Sequence, residues 1–205
     1  MSCDGLPGAF LDARIAGAID AGVHWQASAL QCDGMRRPDG KGLRVTFTGA
    51  VGDERLTLVF GMPRLAEGSS GRAVPVNVTI IREGGRVYGT RGEGKCVLDE
   101  VTQAPLTLAE RASLPASPAR AASNARVAGK ARATDRADVA EAPAAAAVRH
   151  WRIDARGFCL EPARAVAPAS GAGDAILLTT FDFRGQLTWE PDPAEAPANT
   201  DRAAP

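Results

Sequence analysis

The part of this chain closest to a known chemical motif is residues 89–96, GTRGEGKC, which follow the phosphate-binding pattern G-x-x-x-x-G-K up to its last position. The pattern then requires Ser or Thr to bind magnesium, and Cys96 stands there instead. It also requires a helix whose amides face the phosphate, but residues 97–105 form a poor helix sequence that ends in proline. A glycine-rich β-turn explains the same residues, so nucleotide binding through Gly89–Cys96 is a remote alternative.

Both histidines of the chain stand directly before a tryptophan, and each pair is followed by a cysteine. The two sets are His24-Trp25 with Cys32 and His150-Trp151 with Cys159. One interpretation is a His/Cys metal site, but such sites normally contain close ligand pairs such as C-x2-C or H-x3-H, and the chain has none. We therefore favour two core strands, each with an inward tryptophan and an outward histidine, and we expect no cofactor.

The four cysteines allow three complete pairings. Cys96 begins one predicted strand and Cys159 ends another, so facing strands could bring their Cβ atoms within bonding distance. If the chain resides outside the cytoplasm, we expect a Cys96–Cys159 disulfide. Cys32 then pairs with Cys3, or stays buried and free if Cys3 is lipidated. In a cytoplasmic protein all four cysteines would be reduced.

Composition argues against two classes of protein. The 205 residues include 24 basic and 24 acidic ones, so the formal net charge is zero, and the basic stripe of a nucleic-acid binder is not visible. No apolar run reaches the roughly 18 residues that cross a bilayer, so no transmembrane segment is expected.

The beginning of the chain, Met1-Ser2-Cys3, has no recognisable signal peptide. It fits a mature envelope lipoprotein whose leader has been replaced by a start codon, with a lipid anchor at Cys3. It also fits an ordinary cytoplasmic N-terminus.

Apolar and polar residues alternate along most of the chain, which is typical of half-buried β-strands. Strands are predicted within residues 23–32, 43–48, 56–60, 74–81, 87–88, 96–103, 149–159 and 177–190. Residues 9–20 place Leu11, Ile15 and Ile19 at a spacing of four, which predicts a short helix. We therefore expect an all-β fold, an antiparallel β-sandwich or partly open barrel of about seven to eight strands with a short N-terminal helix.

The inward face of the last predicted strand can be read from its alternation. The inward residues of 177–190 are predicted to be Leu177, Thr179, Phe181, Phe183, Leu187 and Trp189. Gly185 marks a bulge or a close approach of another backbone segment.

Two segments do not fit this pattern. Residues 107–148 are rich in Ala, Arg, Pro and Ser and contain no aromatic residue, so they are predicted to be a disordered insertion. The tail 191–205 is rich in Pro and Ala and is predicted to be disordered too. We expect a single β domain over 1–190 that the insertion interrupts.

Three sequence blocks together resemble small uncharacterised envelope lipoproteins of Gram-negative bacteria. They are GTRGEGKCVLDEV, RGFCLEPARAV and LLTTFDFRG, and the resemblance covers residues 3–104 and 149–189. It implies a compartment and a fold, and transfers no catalytic residue.

The chain shows no G-x-S-x-G motif and no convergent catalytic set. We therefore expect a non-enzymatic protein of the periplasm or outer membrane that binds a partner, a protein or another envelope component, or has a structural role. The alternatives are a hydrolase whose site is built from loops, and a cytoplasmic location.

Overall fold

The computed structural model describes residue 3 and residues 6–84, 86–90, 92, 94–114, 148–166 and 175–189. Within these residues the chain forms eleven β-strands and one short α-helix, which confirms the predicted all-β class. The strands are β1 Phe10–Gly17, β2 Ala21–Gln26, β3 Gln31–Arg36, β4 Leu43–Val51, β5 Glu54–Met62, β6 Val74–Arg82, β7 Val87–Gly89, β8 Cys96–Pro105, β9 Arg149–Cys159, β10 Ala163–Ala165 and β11 Ala175–Trp189. The helix, α1, spans Leu108–Ala112, and a 3-10 turn lies at Ala27–Ala29.

Seven of the strands form a partly closed ring in the order β3-β4-β5-β6-β8-β9-β11. Neighbouring strands in this ring are antiparallel, except where β11 meets β3 in parallel through the single pair Thr188 and Met35. Gly34 permits this approach, because a Cβ there would lie within 2.2 Å of the Gln186 carbonyl oxygen. The β1–β2 hairpin lies against the same edge of β11, and β7 and β10 link β6 to the start of β11.

The core fills the space inside the ring. Four phenylalanines from β4, β5 and β11 form its centre: Phe47, Phe60, Phe181 and Phe183. The phenyl group of Phe60 lies 4.8 Å from that of Phe183 and 4.9 Å from that of Phe181, measured between centroids. The side chain of Phe60 therefore connects β5 with β11 across the interior of the strand ring. At Gly185 the close neighbour is a side chain and not a backbone, because a Cβ there would lie 2.9 Å from Cζ of Phe47.

The predicted N-terminal helix at residues 9–20 is wrong, because Phe10–Gly17 form strand β1. A spacing of four residues between Leu11 and Ile15 satisfies both a helical period and an alternating one. Ala13, also buried, completes the alternation. Pairing with β11 on one side and β2 on the other then decides in favour of the strand.

The structure has three strands beyond the eight segments predicted from alternation. β1 replaces the helix, and the predicted strand 23–32 divides at the 3-10 turn between β2 and β3. β10 lies in a stretch expected to be a loop. It is only three residues long, so its sequence carries too little alternation to be recognised.

The predicted inward face of the last strand is wrong at its start. Ile176 and Leu178 are buried, whereas Leu177 and Thr179 are not. The β1–β11 register shifts between Arg14 and Ile15, which skips Thr179 and moves the alternation by one residue. From Phe181 onward the buried residues are those predicted.

The first residues of the stretch 107–148 form α1. The Thr107 hydroxyl accepts a hydrogen bond from the Glu110 amide at 3.2 Å, and the Glu110 carboxylate accepts one from the Thr107 amide at 2.7 Å. This is a capping box, whose T-x-x-E spacing is visible in the sequence. Residues 115–147 and the tail 191–205 lie outside the described residues. No described helix is long and apolar enough to cross a membrane.

Candidate functional site

Two disulfides connect the four cysteines. Cys96 and Cys159 face each other in the β8–β9 ladder with their Cα atoms 3.9 Å apart, the pairing that the sequence analysis favoured. Cys3 is bonded to Cys32 on β3, with a Cα separation of 5.1 Å. All four residues are buried. A Cys3 sulfur held in this disulfide is not free to form the thioether of a lipid anchor.

The two His-Trp pairs do not converge. The imidazole of His24 contacts Asp12 (Nδ1 to Oδ1, 3.0 Å), while His150 lies on β9 beside Thr188. Cys32 and Cys159, the two cysteines of the hypothetical His/Cys metal site, are both held in disulfides. Among the described residues no three His, Cys, Asp or Glu side chains gather as metal ligands.

The tryptophans have structural hydrogen bonds. Trp25 donates to the Ala50 carbonyl at 2.7 Å, and Trp151 donates to the Glu67 carboxylate at 3.0 Å. Trp25 is buried and Trp151 half-buried, so both serve the packing of the domain.

The segment Gly89–Cys96 connects two antiparallel strands, since Gly89 ends β7 and Cys96 begins β8. Gly92 and Gly94 adopt positive φ angles of 92° and 84°, as tight turns require. The Lys95 ammonium lies 2.9 Å from the Glu161 carboxylate and lowers the pKa of that carboxyl group. Arg91 and Glu93 lie outside the described residues.

A row of charged residues crosses the outer face of five strands. In the order β2, β1, β11, β9 and β8, the directly opposed residues of this charged row are His24, Asp12, Asp182, Arg156 and Glu100. Arg156 donates to Glu100 at 2.9 Å. Burial, followed by the charge of Asp12, raises the pKa of Asp182, while Arg156 and Arg184 act in the opposite direction.

Asp182→Asn should raise the stability of the protein at pH 7. A carboxyl group whose folded pKa is raised binds more protons in the folded state than in the unfolded state. Its favourable contribution is therefore complete below the ordinary value of 3.8 and is lost as the pH rises through the folded pKa. In urea unfolding measured from pH 3 to pH 7, the midpoint of the variant minus that of the wild type should increase as the pH rises.

Asp12→Asn provides the companion measurement for this effect. It removes the negative charge that repels the ionised Asp182 and should bring the pKa of Asp182 down toward its ordinary value. A lower midpoint for Asp182→Asn than for wild type at pH 7 would contradict the expected sign.

A shallow groove lies on the outer face of β4, β5 and β6, next to the loop that connects β3 and β4. This outer groove is lined by Arg37, Pro38, Arg44, Val59, Gly61, Asn77 and Thr79, and has a volume of about 240 Å³. Arg44 and Asn77 stand on either side of Gly61 in the strand register. Because Gly61 has no side chain, the floor of the groove is open.

The polar groups of the outer groove have few partners. Arg44 donates to Sδ of Met35 at 3.4 Å, which is a weak acceptor, whereas Arg37 is paired with Asp39 at 2.8 Å. Within the described part of the chain, the side chains of Asn77 and Thr79 have no hydrogen-bond partner. Among the described residues, the groove therefore presents one guanidinium whose only acceptor is a thioether, and two neutral donors without a protein acceptor.

Sequence reasoning missed both the charged row and the outer groove. Arg44 lies within the predicted strand 43–48, but the predicted strand 56–60 stops before Gly61, whereas β5 continues to Met62. Continuing the alternation of 56–60 by two residues would have placed Gly61 on the outer face. The charged row carries no such signal, because it depends on which distant strands become neighbours.

No family model matches this chain, and neither the curated proteins nor the solved structures contain a significant match.

Proposed function

We propose that this protein is a disulfide-stabilised β protein of the bacterial cell envelope, in the periplasm or at the outer membrane, and that it binds an envelope component without catalysing a reaction. The observation that carries the binding role is the outer groove, where the Arg44 guanidinium has only a thioether acceptor and the side chains of Asn77 and Thr79 have no described partner. The location is supported by the two disulfides, since such bonds persist in oxidising compartments.

The composition of the outer groove favours binding over catalysis. Among the residues that the structure describes, its lining includes guanidinium, amide and hydroxyl groups, and no carboxylate, imidazole or thiol. General acid–base catalysis needs a group that gains or loses a proton near neutral pH, and arginine does not do so. The groove can therefore hold and orient an electron-rich group, but its lining has no general base.

The alternative of a hydrolase is favoured by a different observation, the contact between His24 and Asp12. A histidine oriented by a carboxylate is a common general base. The His24 side chain is 78% exposed, however, on the open face of a sheet, so it lacks the enclosed cleft in which a substrate would be held. Binding is thus the better-supported function.

All four cysteines should resist alkylation in envelope fractions prepared from cells that express the gene with its own upstream region. Intact mass analysis after alkylation should show two disulfides and no added label until a reductant is supplied. A lipid anchor at Cys3 would instead give a lipid mass and a free, labelled Cys32. Four reactive thiols would contradict the envelope location.

A photoreactive residue at position 79 should cross-link to a partner in intact envelopes. Thr79 lines the outer groove, and the same residue at exposed Thr180, on β11, is the matched control. Cross-links that form at position 79 and not at position 180 would support binding through the groove. Equal products at both positions, or none at either, would count against it.

A further inference from the structure

We propose that the outer groove is a binding site for the carboxylate group of a small polar ligand. This inference rests on the proposed function, because it names the ligand class of the same surface.

Arg44 provides the cation for this site. Several other strand arginines, Arg14, Arg82, Arg156 and Arg184, each pair with an aspartate or glutamate, and Arg55 donates to the Gln31 side chain at 2.6 Å. Arg44 has only the thioether of Met35, and no described carboxylate lies within ion-pair distance of it. A guanidinium offers five donors in a planar fork that matches the two oxygens of a carboxylate. Most of this capacity is unused by the protein.

Asn77 and Thr79 add neutral donors beside the cation. An amide and a hydroxyl can each donate to an oxygen of the ligand or accept from a neighbouring polar group. Elsewhere on this face such groups bond to each other, as the hydroxyls of Thr48 and Thr57 do at 2.8 Å. At Asn77 and Thr79 no described residue takes that role.

Charge and size favour a carboxylate over a phosphate. Asp39 already pairs with Arg37, so Arg44 is the one lining cation without a carboxylate partner in the described structure. One positive charge matches a carboxylate, whereas a phosphate monoester carries a charge of about −1.5 to −2 at neutral pH. The groove volume of about 240 Å³ lies below that of drug-sized pockets and suits a small group.

The test uses a pair of probes that differ only in charge, sodium N-acetylglycinate and N-acetylglycinamide, added to the ¹⁵N-labelled full chain at constant ionic strength. The carboxylate should produce saturable shifts in the amide signals of Gly61, Asn77 and Thr79. The neutral amide should not. Inorganic phosphate, added separately, should bind more weakly than the carboxylate.

Two variants test the site itself. Arg44→Gln should weaken binding of the carboxylate about tenfold or more, the effect of losing a charged hydrogen-bonding partner. Gly61→Ala should also weaken binding by filling the floor, yet leave the fold intact, because its Cβ would lie 3.8 Å from the nearest atom, the Asn77 carbonyl oxygen. The matched controls are Arg14→Gln, at an exposed ion pair, and Gly22→Ala, on an exposed strand; both should bind like wild type.

Several results would overturn the carboxylate site. They are equal shifts with both probes, equal losses in Arg14→Gln and Arg44→Gln, tighter binding of phosphate, or the absence of saturable shifts. If any of these occurs while cross-linking at position 79 persists, the ligand class is wrong and the proposed function stands. If cross-linking fails but the carboxylate binds as expected, the site stands without its proposed envelope partner.

Discussion

Cys159→Ala should lower the free energy of unfolding of the oxidised protein by about 4 kcal/mol, because the bond closes a loop with a sequence separation of 63. Removing the cross-link gives the unfolded chain more conformations and so favours it. Cys96→Ala should cost about the same, and the double variant no more than either, since one bond is lost in each case. Urea unfolding under non-reducing conditions measures all three.

The second disulfide serves as an internal comparison. Cys3 and Cys32 are only 29 positions apart, so their loss should cost less, about 3.5 kcal/mol on the same model. In reductant the Cys96 and Cys159 variants should converge on reduced wild type. Additive losses from Cys96→Ala and Cys159→Ala, or a large difference that persists in reductant, would mean that packing and not the cross-link determines the effect.

Phe60→Ala should destabilise the protein by about 3–5 kcal/mol. The Phe60 side chain is fully buried and contacts three other phenylalanine side chains. Alanine would therefore leave a cavity at the centre of the core that the seven strands enclose. Equilibrium urea unfolding provides the measurement, with the slope of the transition checked for two-state behaviour.

Val59→Ala is the matched control on the same strand. Val59 occupies the adjacent position, points outward and is only half-buried, so its loss should change stability by about 0.5 kcal/mol or less. Similar costs at the two positions would show that the phenylalanine cluster is not the centre of the packing.

The fold class was predictable because strand alternation is local. In β4 and β5 each inward residue is separated from the next by one outward residue, and those inward residues form the core. The helix predicted at Leu11 and Ile15 failed because a spacing of four fits two periods. The pairing of β1 with β2 and with β11, which is more than 150 positions away in sequence, distinguishes them.

The disulfide and the outer groove differ in how much of each can be read from the sequence. Cys96 and Cys159 were recognisable because cysteine chemistry limits the partners to a few and the predicted strand ends restrict them further. The outer groove has no residue type that identifies it. Arg44, Gly61 and Asn77 become a unit only when three strands lie in register, and the unpaired state of Arg44 depends on where every nearby carboxylate lies.

The single residue pair between β3 and β11 also affects how the native protein fluctuates. The other boundaries of the ring are ladders of three or more residue pairs, so separation of β3 from β11 breaks the fewest paired residues and should be the commonest local opening. Met35 lies in that pair and also contacts Arg44. A ligand that binds only when β3 is in place would therefore reduce the population of the open form by mass action. The weakest boundary of the ring is thus the one whose opening an occupied groove would suppress.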